Sequence, residues 1–285
     1  MKLLSFLFLL NIFFLSAEDQ RSHQVMVSVA PYKFFVEKIA DATVSINLIV
    51  PPGVSFHHFE PTPKQILEGA KSDIWFRIGE SFENRAIPAL RSHHPNMLIV
   101  DLRKFVDLIV IDPNKPNHCI CCQHEGADLH VWLSPRMAQR QVQAMTDALI
   151  EVYPENREKY VKNGNLLIQQ LKDLDQEIAE KLKNLPTRTL MVSHPAYSYF
   201  ARDYGLEQLP IEYEGKDPSP RQLTNVLLQA RQKNIKTIFI QGQYSAKGAY
   251  LLAKELGAQV VELDPYSGDY FVTLREIANR IAQQR

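Results

Sequence analysis

Residues 155–185, ENREKYVKNGNLLIQQLKDLDQEIAEKLKNL, contain one glycine, Gly164, and no proline. Leu167, Leu171, Leu174, Ile178 and Leu182 recur at spacings of three and four. That is the stripe of an amphipathic helix. Pro154 stands before the stretch and Pro186 closes it, and proline is a helix breaker at both places. A helix of about 30 residues would run roughly 45 Å at 1.5 Å per residue, the length of a whole lobe. A further helical pattern, Pro135–Tyr153, precedes it.

On either side of this helical region the pattern is different. Short apolar, β-branched runs occur at Gln24–Ala30, Val44–Val50, Ser72–Ile78 and Met97–Leu102. Four more occur at Thr189–Ser193, Leu209–Glu212, Thr237–Gln241 and Gln259–Leu263. Such runs read as strands covered on both faces. Helical patterns lie between them: Tyr32–Ala40, Pro63–Lys71, Phe82–His93, Tyr197–Tyr204, Pro220–Lys233, Ala246–Gly257 and Phe271–Gln284. Alternation of strand and helix predicts parallel sheets with helices on both faces. The expected fold is α/β, two doubly wound lobes joined by a long rigid helix, with a cleft between them. Expected boundaries are a signal peptide at 1–17, a first lobe at 18–134, a helical linker at 135–186 and a second lobe at 187–285.

Composition narrows the function. Hydrophobic residues make up 45% of the 285 and charged residues 22%, so the chain can build a real core. Lys+Arg and Asp+Glu both number 32, which argues against nucleic acid as a partner, since phosphate neutralisation needs a basic surface. Lys2, the apolar run Leu3–Leu15, then Ser16-Ala17 before Glu18-Asp19 read as a secretory signal peptide cleaved after Ala17. No cysteine lies near that site to carry a lipid anchor, so a soluble periplasmic protein is expected. The cysteines are Cys119, Cys121 and Cys122. Being adjacent, they cannot staple distant segments of an exported chain.

Three metal-ligating side chains stand where an open α/β sheet places its ligands, beyond the carboxyl ends of strands. His57 follows the strand Val44–Val50 through the loop Pro51–Phe56, His194 follows Thr189–Ser193, and Asp264 follows Gln259–Leu263. They come from both lobes. A fourth, His130, precedes the helical linker in Asp128-Leu129-His130-Val131-Trp132. His23 and the pair His93-His94 have no such setting and read as solvated residues.

Four motifs occur in order. His57-His58-Phe59-Glu60-Pro61 fits H-x-[YF]-E-P, with His58 as the variable neighbour. Asp128–Pro135, DLHVWLSP, fits D-x-H-x-W-L-[SD]-P. His194–Phe200, HPAYSYF, fits H-x-A-[YFW]-x-Y-F. Leu263-Asp264-Pro265 ends the last strand. The four candidate ligands are separated by 73, 64 and 70 residues. Across nearly the whole mature chain this resembles the ZnuA/TroA-like metal-specific periplasmic binding proteins of ABC importers.

The resemblance implies metal ligation by His57, His130, His194 and Asp264, and delivery of the metal to the membrane permease of an ABC importer by a monomer. Histidine at the third position is the pattern of zinc members, and glutamate there that of manganese or iron members. Chemistry agrees: three imidazoles and a carboxylate suit tetrahedral Zn²⁺, whereas Mn²⁺ takes more oxygen ligands. The same role with Mn²⁺ or Fe²⁺ as cargo, and a metal-containing adhesion module, are the alternatives. Glu60 and Asp128 are candidates to orient the imidazoles, or are ordinary loop carboxylates. Trp132 reads as packing beside the site. His118, Cys119, Cys121, Cys122 and His124 stand where zinc members often carry a His-rich loop. They form either an accessory capture site or an oxidised, exposed loop. No hydrolase is expected. A catalytic zinc keeps one position open for water, and the H-E-x-x-H, G-x-S-x-G and phosphate-loop patterns are missing from the sequence.

Overall fold

The structure is a computed structural model that describes residues 23–111, 126–212 and 217–284. The expected signal peptide lies outside them. In chain order the first lobe runs β1 (Gln24–Val27), α1 (Ala30–Ala40), β2 (Ser45–Leu48), α2 (Pro63–Gly69), β3 (Ile74–Arg77), α3 (Ser81–His93) and β4 (Leu98–Asp101). Two helices follow, α4 (Pro135–Val152) and α5 (Arg157–Lys181). The second lobe runs β5 (Thr189–Val192), α6 (Ser198–Tyr204), β6 (Glu207–Pro210), α7 (Pro220–Gln232), β7 (Thr237–Ile240), α8 (Lys247–Leu256), β8 (Gln259–Glu262) and α9 (Tyr270–Ala282).

Each lobe holds a four-stranded parallel sheet, ordered β2-β1-β3-β4 and β6-β5-β7-β8. The order reverses direction beside the first strand of each lobe, where the loops that follow neighbouring strands part and leave a crevice. β3, β5 and β7 are buried throughout, as their unbroken apolar runs require. The lobes also share a start signal. Thr62-Pro63-Lys64-Gln65 opens α2 and Ser219-Pro220-Arg221-Gln222 opens α7. In each, the hydroxyl accepts from the backbone N–H three residues on, and the glutamine accepts from the capping residue's own N–H. Such caps contribute about 1 kcal/mol each.

The helical region has the two expected helices with the break at Pro154. Pro154–Asn156 make a 3₁₀ turn, so α4 and α5 fold back on each other as an antiparallel pair. α5 has 25 residues, about 38 Å long, and ends before Pro186, which disfavours helix in the residue ahead of it. Its buried stripe is Tyr160, Gly164, Leu167, Leu171, Leu174 and Ile178. It packs on α4, on α1 of the first lobe and on α9 of the second. Arg136 to Asp175 (3.0 Å) and Arg275 to Glu177 (2.8 Å) tie α4 and α9 to it. Phe35 meets Tyr270 edge-on at 4.7 Å, and Tyr270 Oη donates to Trp132 O at 2.6 Å, so one apolar core runs through both lobes. Among the described residues no helix is long and apolar enough to cross a membrane.

Candidate metal centre

The loops at the carboxyl ends of the strands converge on three imidazoles. His57 sits in a 3₁₀ turn, Phe56–His58, reached from β2 through the loop at 51–55. His130 caps the 3₁₀ turn Val131–Leu133 that leads into α4. His194 lies two residues past β5, where Ser193 N donates to Phe239 O and keeps the chain extended to that point. Ring centroids are 5.2 Å apart for His57–His130, 5.3 Å for His57–His194 and 5.2 Å for His130–His194, nearly an equilateral triangle. One nitrogen from each ring lies within 4.8 Å of the others, and the Nε2 atoms of His130 and His194 are 3.3 Å apart. His130 and His194 are wholly buried, and the His57 side chain is 1% exposed.

Every ring has a carboxylate behind it. His130 Nδ1 is 2.8 Å from Asp128 Oδ1, His57 Nδ1 is 2.9 Å from Glu80 Oε1, and His194 Nδ1 is 2.9 Å from Glu212 Oε1. These contacts turn each Nε2 towards the centre. Burial lowers the His57 imidazole below its usual value, against the pull of Glu80. Burial holds His194 well below its own, and His130 and His57 push the same way. Burial alone would raise Asp128, but the charge and hydrogen bonds of His130 keep it below the usual carboxylate range. Burial, then Asp217, pushes Glu212 up to about 8. Neutral imidazoles are the form that binds a metal.

Aromatic rings wall the triangle. Tyr244 stacks on His194, while Phe56 and Trp132 lie 5.3 Å and 5.4 Å from His130. Trp132 is fully buried packing, and its Nε1 donates to Pro265 O at 3.0 Å. The hydroxyl of Tyr266 lies 3.5 Å from His130 Nε2.

The other expected site residues are placed differently. Asp264 follows β8, but it is exposed and outside the group of three histidines. Its Oδ1 accepts from Gln243 Nε2 and from Tyr266 N, both at 3.0 Å. Glu60 does not reach an imidazole. Its side chain is 65% exposed and pairs with Arg85, and the place behind His57 belongs to Glu80. Asp128 Oδ1, by contrast, is in contact with the His130 ring at Nδ1. His118, Cys119, Cys121, Cys122 and His124 lie outside the described residues. His23 pairs with Glu155 at 3.0 Å, and His94 Nδ1 lies 2.9 Å from Ser72 O, both away from the triangle.

Sequence reasoning missed Glu80, Glu212, Tyr244 and Tyr266. Glu80 and Glu212 lie just past β3 and β6, so the rule that points to the histidines also reaches them. Glu212 is hidden by a strand boundary. The apolar run reads as a strand through Glu212, whereas β6 stops at Pro210.

Known proteins place the chain. A family described as zinc-uptake complex component A, periplasmic, or ZnuA, matches residues 25–284. A protein of Chlamydia trachomatis serovar D, whose name offers metal binding only provisionally, is 34% identical over 260 residues, 91% of this chain and 90% of that protein. The high-affinity zinc uptake system protein ZnuA of Bacillus subtilis is 30% identical over 252 residues, 86% and 78% of the two chains. A crystal structure of a ZnuA superposes with a TM-score of 0.85 at 32% identity, over 92% of this chain and 99% of the other. The chain therefore belongs to the ZnuA family, and is a metal-binding solute-binding protein rather than an enzyme.

Proposed function

We propose that this protein captures Zn²⁺ in the periplasm at His57, His130 and His194 and delivers it to the membrane permease of an ABC importer, after removal of residues 1–17. One observation carries the reading. Three buried imidazoles, each backed by a carboxylate, bring one ring nitrogen apiece to within 4.8 Å of the others. Without a cation, such a cluster gains nothing to offset burying so many polar groups. Three nitrogen donors favour Zn²⁺ over Mn²⁺ in the general affinity order, and neutral imidazole suits it. The zinc-uptake names of the family and of the B. subtilis relative support the same cargo. The buried position explains retention, and the origin of the three rings on separate loops gives release a route, because moving one loop removes one ligand.

The test is competition. The protein is stripped, then offered equimolar Zn²⁺ and Mn²⁺, and bound metal is measured beside a His194→Ala variant. One zinc per chain, weakened at least tenfold by the substitution, is the expected result. Preferential manganese, or zinc held unchanged by the variant, defeats the assignment.

A further inference from the structure

The chain carries one short segment twice. Glu60-Pro61-Thr62-Pro63-Lys64-Gln65-Ile66 leads into α2, and Asp217-Pro218-Ser219-Pro220-Arg221-Gln222-Leu223 leads into α7. Position by position the two agree in chemistry: acid, proline, hydroxyl, proline, base, glutamine, aliphatic. They agree in placement too. In both, the acid, the hydroxyl, the second proline and the base are exposed, while the other three residues are half-buried. The topology makes them equivalents. Each follows the edge strand of its sheet, β2 or β6, and leads through its helix to the third strand of its lobe. Glu60 comes three residues after His57, and Asp217 five after Glu212, the carboxylate behind His194. The two segments therefore border the same cleft, one on each lobe.

Folding accounts for part of this repeat. The hydroxyl and the glutamine close each capping box, and the second proline stands in the first turn. The bases are not accounted for in that way. Lys64 and Arg221 take no part in either cap, and a cation in the first turn opposes the helix dipole. Neighbouring acids are engaged elsewhere. Glu60 pairs with Arg85, Glu68 pairs with Lys71 at 2.7 Å, and Asp217 Oδ2 accepts from Ser245 Oγ at 3.0 Å. Among the described residues neither Lys64 nor Arg221 has a carboxylate partner. The charge each lobe holds out is thus positive, at the same place in the same local structure.

We propose that Lys64 and Arg221 are the paired contact points through which the loaded protein docks on its importer, each meeting a carboxylate of the permease. The inference rests on the delivery reading and deepens it by naming the surface. One base offered by each lobe in the same setting fits a partner that presents the same acceptor twice, a permease of two identical subunits or of two matching halves. An anionic lipid surface fits less well. Lipid headgroups favour clusters of cations, whereas each base here stands alone, four residues from Glu60 or Asp217. The capping boxes hold both backbones in place beforehand, which lowers the cost of ordering the contact. A partner held at both points lies across the cleft that contains the histidines.

The experiment places the importer, permease with its ATPase subunits, in phosphatidylcholine liposomes. ATP hydrolysis is read against the concentration of zinc-loaded protein. Lys64→Glu, Arg221→Glu and the double variant are compared with Lys162→Glu, an equal change of charge at an exposed position of α5. Each reversal is expected to raise the half-maximal concentration by about tenfold, to a similar extent because each meets the same acceptor, and the double variant by more than either. Added salt should weaken the unaltered protein towards the variants. Zinc affinity, melting temperature and the Lys162→Glu response should not change. Unchanged half-maximal concentrations in both reversals overturn the proposal and leave delivery standing. An equal loss in Lys162→Glu overturns it too, since net charge alone would then be acting, and so does a loss confined to one of the two reversals, which breaks the pairing. Binding to phosphatidylglycerol vesicles without the importer, abolished by both reversals, gives the two bases to lipid and overturns it as well. If the unaltered loaded protein does not stimulate the importer, the delivery reading itself falls and takes this proposal with it.

Discussion

The ring of Tyr244 lies face to face with the imidazole of His194, centroids 3.9 Å apart and planes 9° from parallel. Tyr244 comes from the loop after β7, and its hydroxyl accepts from Ser55, on the loop that carries His57. One side chain thus covers an imidazole of the second lobe and holds the histidine loop of the first. Tyr244→Phe keeps the stack and loses the tie to Ser55. A hydrogen bond of about 1 kcal/mol corresponds to metal release about fivefold faster. Tyr244→Ala loses both contacts and should release faster still. A stopped-flow chase with excess chelator reads both rates, and equal rates in all three proteins would remove Tyr244 from the release step.

The carboxylates behind the rings set a second expectation. Asp128→Asn, Glu80→Gln and Glu212→Gln should each weaken Zn²⁺ binding by about ten- to a hundredfold without removing a ligand. Asp128→Asn should cost most, because Asp128 Oδ1 also accepts the His130 backbone N–H at 2.9 Å. Chelator competition gives the three constants. Affinities within a factor of two of the unaltered protein would show that packing alone orients the rings.

Glu212 makes the binding pH-dependent. With its carboxyl pushed up to about 8, it holds a proton at neutral pH in the metal-free protein. That proton is shared with His194 Nδ1 at 2.9 Å, so the hydrogen on the ring can sit at Nε2, facing His130. A cation at Nε2 displaces it, Nδ1 then carries the hydrogen, and Glu212 is left as the carboxylate. One proton leaves per ion bound. The sign follows: affinity rises with pH, about tenfold per unit below pH 8, and levels off above it as Glu212 ionises unaided. Titration calorimetry in buffers of different protonation enthalpy measures the proton. Glu212→Gln should abolish its release, and buffer-independent heats in the unaltered protein would refute the scheme.

A buried cluster beneath the site links stability to ligand placement. Glu83 accepts from Arg77 Nε at 3.1 Å, Ile78 N at 3.0 Å, Gly79 N at 2.6 Å and the Ser28 hydroxyl. It thereby shapes the turn whose next residue, Glu80, meets His57. Gly79 has φ +99°, and a Cβ there would strike the Arg103 side chain, so the turn needs glycine. Glu83→Ala leaves two backbone donors unpaired and takes the carboxylate from a buried guanidinium that keeps only Asn84 Oδ1 at 2.7 Å, at a cost of about 3 kcal/mol or more. Denaturant unfolding should show that loss, with weaker zinc binding in the fraction that remains folded. A shift below about 1 kcal/mol would mean the pocket rewets.

How far the sequence reaches can be read from particular residues. Element type was legible because buried parallel strands and amphipathic helices leave different periods, and Gln24–Val27 or Tyr270–Ala282 differ from their expected spans by a residue or a few at the ends. The positions of His57 and His194 were legible because strand ends in α/β sheets are where ligands gather. Which carboxylate serves which ring was not legible. Glu60 is three residues from His57, yet it points outward to Arg85, while Glu80 arrives from another strand. Partnerships of that kind are set by tertiary geometry. The turn at Pro154–Asn156 was marked by its proline, but proline alone does not say whether a helix kinks or reverses.

That reversal supplies the last expectation. Gly164 in α5 lies where α4 comes closest: a Cβ there would be 2.5 Å from Thr146 Oγ1 and 3.0 Å from its Cγ2. Thr146 cannot swing away easily, being β-branched and bonded through Oγ1 to Val142 O at 2.8 Å. Gly164→Ala would favour the isolated helix by about 1 kcal/mol, but overpacking costs about 1–3 kcal/mol, so the net effect is destabilising. Thr146→Ala clears the space, and in that background Gly164→Ala should become neutral or stabilising. The two changes are therefore expected to couple strongly in a double-mutant cycle of unfolding free energies. α5 touches both α1 and α9, so prising it from α4 should also loosen the lobes and speed metal release in Gly164→Ala alone. Additive effects would show instead that the two helices separate at no cost, and that the connector between the lobes is softer than its packing implies.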